Sequence, residues 1–489
     1  MVAGIALYRD IESCLETSTF EPRFWLGSGR ILDHNNQGDP RFIENIVEEA
    51  VRYFHGEYGC RVFNLSYGDR NRPYRGRRVS GLAYVLDLLA RELDVLFVVP
   101  TGNLTISDVS IEDFRDSYPA YLVDDHARIL DPATSLSALT VGALARRDVS
   151  RRGHAGGAEK LEEVARARTG HPSPFTRCGP SVGGAIKPEL VAHGGNWVLD
   201  GRYSKLSSQG LGVLSTGVKF ANGRLLPEDC GTSFAAPVIA HLAARLRCEE
   251  PDLSSRAVRA LLLAHASCPH STLSLVGKDL DPSCLVGFGE VDEGGLYRST
   301  EESVVLLAEE SISDRTNQFY EVPIPPSLRA LGRRRRRLVV ALGYTPAVRT
   351  TRLAYRETRL SFRLVHAETL DAAVAAADNA TKRRRGKNPS PGIPSIRELK
   401  GAQSYGPTKR DAGVNQAATW VLERDMPSPL FVVVSRNDHG WRDEAERERL
   451  EPYALVVRLT DEENMYAKLY TEARAVLAAR AQQRVRLGR

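Results

Sequence analysis

No two of the seven cysteines stand in C-x-x-C spacing; they fall at 14, 60, 178, 230, 248, 268 and 284. An odd, scattered set builds neither a disulfide framework nor a zinc site, and it suggests a reducing cytoplasm. No apolar run approaches roughly 18 residues, so no membrane span is expected. Excess charge of one sign is scarce: 66 basic residues nearly balance 61 acidic ones, for a net charge of +5 over 489 residues. That is too little for a dedicated nucleic-acid binder, which concentrates far more positive charge. The first residues are not expected to form a secretory signal either. "VAGIALYRD" follows Met1 at once, without a basic start or a small-residue cleavage site. These small and apolar residues look like the interior of a buried helix, and no capping residue precedes them.

What is present is ordinary for a globular protein: 42% apolar and 26% charged residues, in a chain long enough for two or three domains. Residues 1–130 alternate between strand and helix signals. "CRVFNLSYG" (60–68) is a β-branched and aromatic run ending in Gly. "VSGLAYVLDLLARELD" (79–94) puts Leu82, Val85, Leu86 and Leu89 on one helical face, with Ser80 able to cap. "DVLFVVPTGN" (94–103) is a continuous apolar strand. Strand, helix, strand at this spacing predicts a doubly wound, mostly parallel α/β sheet. A further strand is expected in 134–144, a charged surface insertion over 145–174, helices over 234–248 and 254–266, and a Gly-rich closing element at 285–296.

From about residue 300 the pattern becomes short strands separated by turn residues, with no long helix until the last twenty or so. The expected domains are therefore 1–299 and an all-β, sandwich or jelly-roll-like module at 300–489, with a mobile basic loop at 376–417. Five consecutive arginines in "GRRRRRL" (332–338) are expected as a solvated hairpin end feeding strand 338–343, with contact to a nucleic acid or an acidic partner the alternative.

"DCGTSFAAPVIAHLAARL" (229–246) carries the chemistry. A small turn leads into an apolar helix, placing Ser233 at the positive end of the dipole. Its backbone N–H can donate to a developing oxyanion, and Pro237 costs little in the first turn. By itself G-T-S before a helix is more often a simple cap. Asn103 ends the apolar strand, where parallel sheets place their sites, and its side-chain amide can be a second donor. The plain alternative for Asn103 is a turn residue after Gly102. "LSYG" (65–68) can offer an extended edge to a peptide; otherwise Leu65 and Tyr67 pack under a loop.

"GTSFAAP" resembles the nucleophile motif of the subtilisin-like serine proteases (subtilases, peptidase family S8). The likeness runs through residues 1–300 in the family's order: "VFNLSYG", "VVPTGN", "ILDPATSLSALTVGAL" and "PFTRCGP...IKPELVAHGGN". His193 departs from it, standing where the family usually has proline. The resemblance implies a serine endopeptidase with Ser233 as nucleophile and Asn103 as oxyanion donor. Loss of such a donor costs about 2.7–4 kcal/mol, a magnitude measured on a relative in that family. It also implies substrate contacts at Leu65, Ser66, Tyr67, Gly68, Gly102 and Thr232, a polypeptide substrate, and no cofactor. Some subtilases bind calcium, but no ligand is assigned here.

The family's base lies in H-G-T-x-V-A-G and its aspartate in D-[ST]-G; neither motif occurs in this sequence. "VAGIALY" resembles the residues just after H-G-T, so the chain reads as a truncated or mis-started form of a longer protease. It is expected to lack the N-terminal strand and most of the His-bearing helix. No other histidine is placed by pattern to replace the base, His193, His34, His55 and His241 included. Without a base, turnover falls on the order of 10⁶-fold, again a relative's measurement. A catalytically dead peptide-binding scaffold is the alternative reading, and a partner-docking β-domain a weaker third. The overall layout and the "GIALYRDIE" region also resemble proteases encoded beside an AAA-type ATPase, which implies such a partner. Cys230, three residues before Ser233, is expected as inert packing.

Overall fold

The computed structural model describes residues 1–33, 43–76, 78–79, 81–149, 165–199, 206–207, 210–221, 223, 225–329, 335–351, 354–384, 397–399, 407–422, 429–438, 449–463 and 468–486. The chain forms two compact units: Met1–Glu293 with Ala347–Tyr355, and Gly294–Pro346 with Arg356–Arg489. The change of unit after Glu293 lies close to the expected boundary at 299–300. The return of Ala347–Tyr355 to the first unit has no counterpart in the expected domains.

The first unit is built on six strands: β1 (Val62–Asn64), β2 (Leu96–Pro100), β3 (Leu139–Leu144), β4 (Leu190–His193), β5 (Ala266–Ser267) and β6 (Gly289–Val291). Their order is β1-β2-β3-β4-β6-β5, parallel throughout except for the β5–β6 pair. Every residue of β2 and β3 is buried, as expected for parallel strands covered on both faces. Six helices belong to this unit's framework: α1 (Val2–Tyr8), α2 (Ile11–Thr17), α3 (Ile43–Tyr58), α4 (Leu82–Leu93), α5 (Thr232–Glu249) and α6 (Ser255–Ala264). Helix α5 is buried on most of its circumference and packs against β1 to β4 and α1. Helix α1 is the expected buried helix without a side-chain cap; a Cβ on its Gly4 would lie 2.5 Å from Thr216 Oγ1.

Local details depart from the expectations. The strand expected over 60–68 is regular only from Val62 to Asn64. Ser80 lies outside the described residues. Helix α4 starts after Gly81, and Asp131 accepts from the Leu82 and Ala83 N–H groups at 3.2 and 3.0 Å. A distant carboxylate thus replaces the local cap. Of the expected insertion at 145–174, residues 150–164 lie outside the described set. Its flanks are tied down: Arg146 pairs with Asp10 and Arg147 with Glu12, while Ala167 and Ser173 are buried.

The second unit is a two-sheet antiparallel sandwich. Its strands are β7 (Ser303–Ile312), β8 (Asn317–Val322), β9 (Arg336–Tyr344), β10 (Thr358–His366), β11 (Arg397–Glu398), β12 (Asn415–Leu422), β13 (Leu430–Asp438) and β14 (Glu451–Asp461). One sheet runs β7-β14-β9-β12 and the other β8-β13-β10-β11. They face each other through the Phe362 and Trp420 rings, 6.4 Å apart, and through Gln416, which donates to Leu360 O at 2.8 Å.

Three expectations change here. Leu370–Arg384 is a helix, so the loop expected over 376–417 begins as helix and ends in β12; 385–396 and 400–406 lie outside the described residues. The alanine-rich run "LDAAVAAADNA" has high helix propensity, which outweighs its polarity. Strand β7 was not foreseen. Arg336, expected in a solvated hairpin end, is fully buried in β9 opposite Asp461 in register. Arg337 pairs with Glu462 at 2.7 Å, and Arg333 and Arg334 lie outside the described residues.

Candidate active site

Helix α5 begins at the turn Gly231-Thr232-Ser233, placed against the C-terminal ends of the parallel strands. Gly231 N–H donates to Gly194 O, just past β4, at 2.8 Å. This close approach requires glycine at 194, where a Cβ would sit 2.8 Å from Gly231 O; a Cβ on Gly231 would press on Asn103 Nδ2 at 3.1 Å. Gly102 has a φ of +93°, and a Cβ there would lie 2.7 Å from Leu130 Cδ1. A glycine therefore turns the chain out of β2 and into Asn103.

Asn103 and Thr232 are in direct contact. Asn103 Oδ1 accepts from Thr232 N–H at 2.9 Å and from Thr232 Oγ1 at 2.8 Å. Two donors on one oxygen fix the orientation of the amide. Its Nδ2 is left without a hydrogen bond among the described residues, beside Gly231. Thr232 is buried and Ser233 half-buried. Ser233 Oγ likewise makes no hydrogen bond with a described residue. Its backbone carbonyl accepts from Ser66 Oγ at 3.3 Å, and Ser66 Oγ in turn accepts from Asn64 Nδ2 at 3.0 Å. The Oδ1 of Asn64 is buried and unpartnered.

Residues Leu65 to Gly68 run past this corner outside any regular strand. Leu65 N–H donates to Val98 O at 3.0 Å and Tyr67 N–H to Leu65 O at 2.9 Å. The second bond closes a tight turn at Ser66 and uses a donor that a straight peptide edge would keep free. Leu65 and Tyr67 pack against the core cluster of α3, α4 and β2. Gly68 approaches Gly102: a Cβ on Gly68 would lie 4.0 Å from Gly102 Cα. The residues singled out in the sequence thus gather at one corner, with Leu65 and Tyr67 turned partly to packing.

No described histidine bonds to Ser233. His193 ends β4 with Nε2 3.5 Å from Glu290 Oε1 and a buried, unpartnered Nδ1. His241 Nδ1 bonds Ala6 O at 2.8 Å, and His55 Nδ1 bonds Cys60 O at 3.1 Å. His34, His154 and His439 lie outside the described residues. Cys230 donates its thiol to Asn196 O at 3.1 Å, and burial pushes its pKa up to about 12, so it carries no thiolate near neutrality. Among the described residues no group of His, Cys, Asp or Glu could hold a metal, and no helix is long and apolar enough to cross a membrane.

The sequence reading missed Arg177 and Asn64. Arg177 donates Nε–H to Asn103 O at 3.1 Å. A lone arginine in "PFTRCGP" gives no periodic or spacing cue. Asn64 ends a strand, where asparagine is unremarked.

A half-buried serine at a helix N-terminus, faced by a side-chain amide past a parallel strand, has the form of an acyl-transfer corner in an open α/β sheet. The sequence profile of the subtilase family matches residues 1–290, and the chain belongs to that family. An uncharacterized protein of Sinorhizobium fredii, y4bN, is 31% identical over 441 residues, covering 88% of this chain and 99% of that protein. Among solved structures, MycP1 with its N-terminal propeptide removed is 20% identical at a TM-score of 0.30, over 52% of this chain and 67% of its own. The patellamide maturation protease PatA is 18% identical at a TM-score of 0.33, over 54% of this chain and 70% of its own. Family membership rests on the profile and the long sequence match.

Proposed function

We propose that this protein is a serine endopeptidase working through an acyl-enzyme on Ser233. Ser233 Oγ attacks the scissile carbonyl carbon; the C–N bond breaks, and the hydroxyl proton passes through a base to the leaving amine. Water then hydrolyses the ester and restores the hydroxyl. Asn103 Nδ2 and the Ser233 N–H serve as oxyanion donors. Leu65 to Gly68, Gly102 and Thr232 border the bound peptide. The base histidine and orienting aspartate come from residues preceding Met1. One observation carries the reading: Thr232 occupies Asn103 Oδ1 twice, leaving Nδ2 unspent beside the nucleophile turn.

The test is a hydroxyl-specific fluorophosphonate applied to the gene product translated from the upstream in-frame codons. Labelling of Ser233, absent in Ser233→Ala, is expected. A folded, extended protein that takes no label overturns the reading. An AAA-type ATPase partner belongs to the same proposal and falls if the two purified proteins neither co-elute nor alter each other's activity.

A second reading, a peptide-binding scaffold without chemistry, is favoured by the unbonded Ser233 Oγ. It requires peptide affinity that Ser233→Ala leaves unchanged and no turnover in the extended protein.

A further inference from the structure

We infer that Arg177 is the positioning residue for Asn103, holding rigid the backbone from which the oxyanion amide projects. The inference rests on the peptidase reading above. Arg177 is 6% exposed and follows Thr176, which bridges antiparallel to Asn103. Its Nε–H donates to Asn103 O at 3.1 Å; its Nη1 donates to His126 O at 2.8 Å and to Arg128 O at 3.0 Å. No carboxylate lies within ion-pairing distance among the described residues.

A buried cation that Asp108 offsets only from beyond ion-pair distance is an expensive way to satisfy carbonyl groups. Burial draws its pKa below the usual arginine value. Arginine is suited to this place because its planar fork reaches two segments at once. One is the stretch leaving β2 through Gly102, where a Cβ would come within 3.2 Å of Arg177 Cδ. The other is 126–128, which leads to Leu130 against Gly102. Asn103 is therefore gripped at its carbonyl by Arg177 and at Oδ1 by Thr232, so Nδ2 has one direction left. A preorganised donor needs no rearrangement as charge develops. The positive charge, only partly offset by the more distant Asp108 carboxylate and bonded to the same residue, favours that developing negative charge.

The experiment is a double-mutant cycle on the rate of Ser233 phosphonylation, in the extended protein, with Arg177→Met and Asn103→Ala. Arg177→Met alone should slow labelling at least ~10-fold. Added to Asn103→Ala, it should slow labelling less than ~3-fold further, because its effect runs through the same amide. Arg177→Lys, which keeps the charge and loses the fork, should fall between wild type and Arg177→Met; it carries the same cycle if the methionine variant does not fold. Wild-type labelling in Arg177→Met, or an equal factor in both backgrounds, overturns the inference and leaves the peptidase reading standing. An unlabelled wild type overturns both.

Discussion

The two ends of the central parallel sheet bury polar groups in opposite ways. At the N-terminal ends of β3 and β4, Lys187 and Glu189 form a fully buried pair at 2.6 Å. Lys187 Nζ also donates to Ala138 O, Glu189 Oε2 accepts from Thr140 N–H, and Arg259 donates to Ser137 O. Nearby, the carboxylate of Asp87 accepts from Ser135 Oγ, the N–H groups of Leu136 and Ser137, and Tyr355 Oη. At the other end, Ser233 Oγ, Asn103 Nδ2 and Asn64 Oδ1 are unspent, and a buried arginine makes no ion-pair contact among the described residues. One end is hydrogen-bonded almost throughout, Ser137 Oγ excepted, and serves stability. Unspent donors and acceptors persist where a ligand can complete them.

The contrast predicts where substitutions hurt. Glu189→Ala should be the most damaging to the fold. It strands a fully buried ammonium whose pKa burial already lowers, and should cost about 3–5 kcal/mol. A chemical denaturation curve checks it; a loss below about 1 kcal/mol would erase the distinction between the two ends. Asn103→Ala should do the reverse. Phosphonylation of Ser233 should slow by about 10²–10³, the range known from a family relative, while stability falls by only about 1–3 kcal/mol, the cost of the Thr232 donors left unpaired. If stability falls as far as in Glu189→Ala, the site end is structural too.

Tyr355→Phe should cost about 1.5–3 kcal/mol, since it removes one donor from a buried carboxylate. An unchanged melting temperature would show that Asp87 is satisfied without it. The smallest effect should be the pH dependence. Burial lowers the pKa of His171, His193 and His241. The folded protein therefore holds them neutral where the unfolded chain binds protons. The sign follows: their contribution to stability is complete above the ordinary imidazole range and is lost as pH falls below about 6.5. His241→Gln should flatten the slope of melting temperature between neutral and mildly acidic pH.

Ser233, Asn103 and the alternation of strand and helix were legible because each sits in a local pattern: a small turn before an apolar helix, an apolar strand before Gly-Asn. What escaped was held by distant partners. Asp131 caps α4 from 48 or more positions away, and Arg177 binds carbonyls 49 to 74 positions back. Nothing local marks such residues. The corner at Leu65 to Gly68 was half legible: the residues converge as expected, but the turn at Ser66 depends on how the chain leaves β1. In the sandwich, β7 escaped because "SVVLLAEESI" mixes apolar pairs with charges, and burial there follows pairing with β14 rather than strict alternation.

The hydroxyl that Tyr355 gives to Asp87 has a consequence for synthesis. A chain emerging from the ribosome exposes β6 well before residue 355. Until that tyrosine arrives, the buried carboxylate lacks one of its four donors and the first unit lacks its last segment. Completion of the peptidase unit is thereby timed to translation of the strands on either side of Ala347–Tyr355. The first unit is complete only after β9 and the segment that follows it are made, and a cut at the end of β6 would leave Asp87 without its Tyr355 donor.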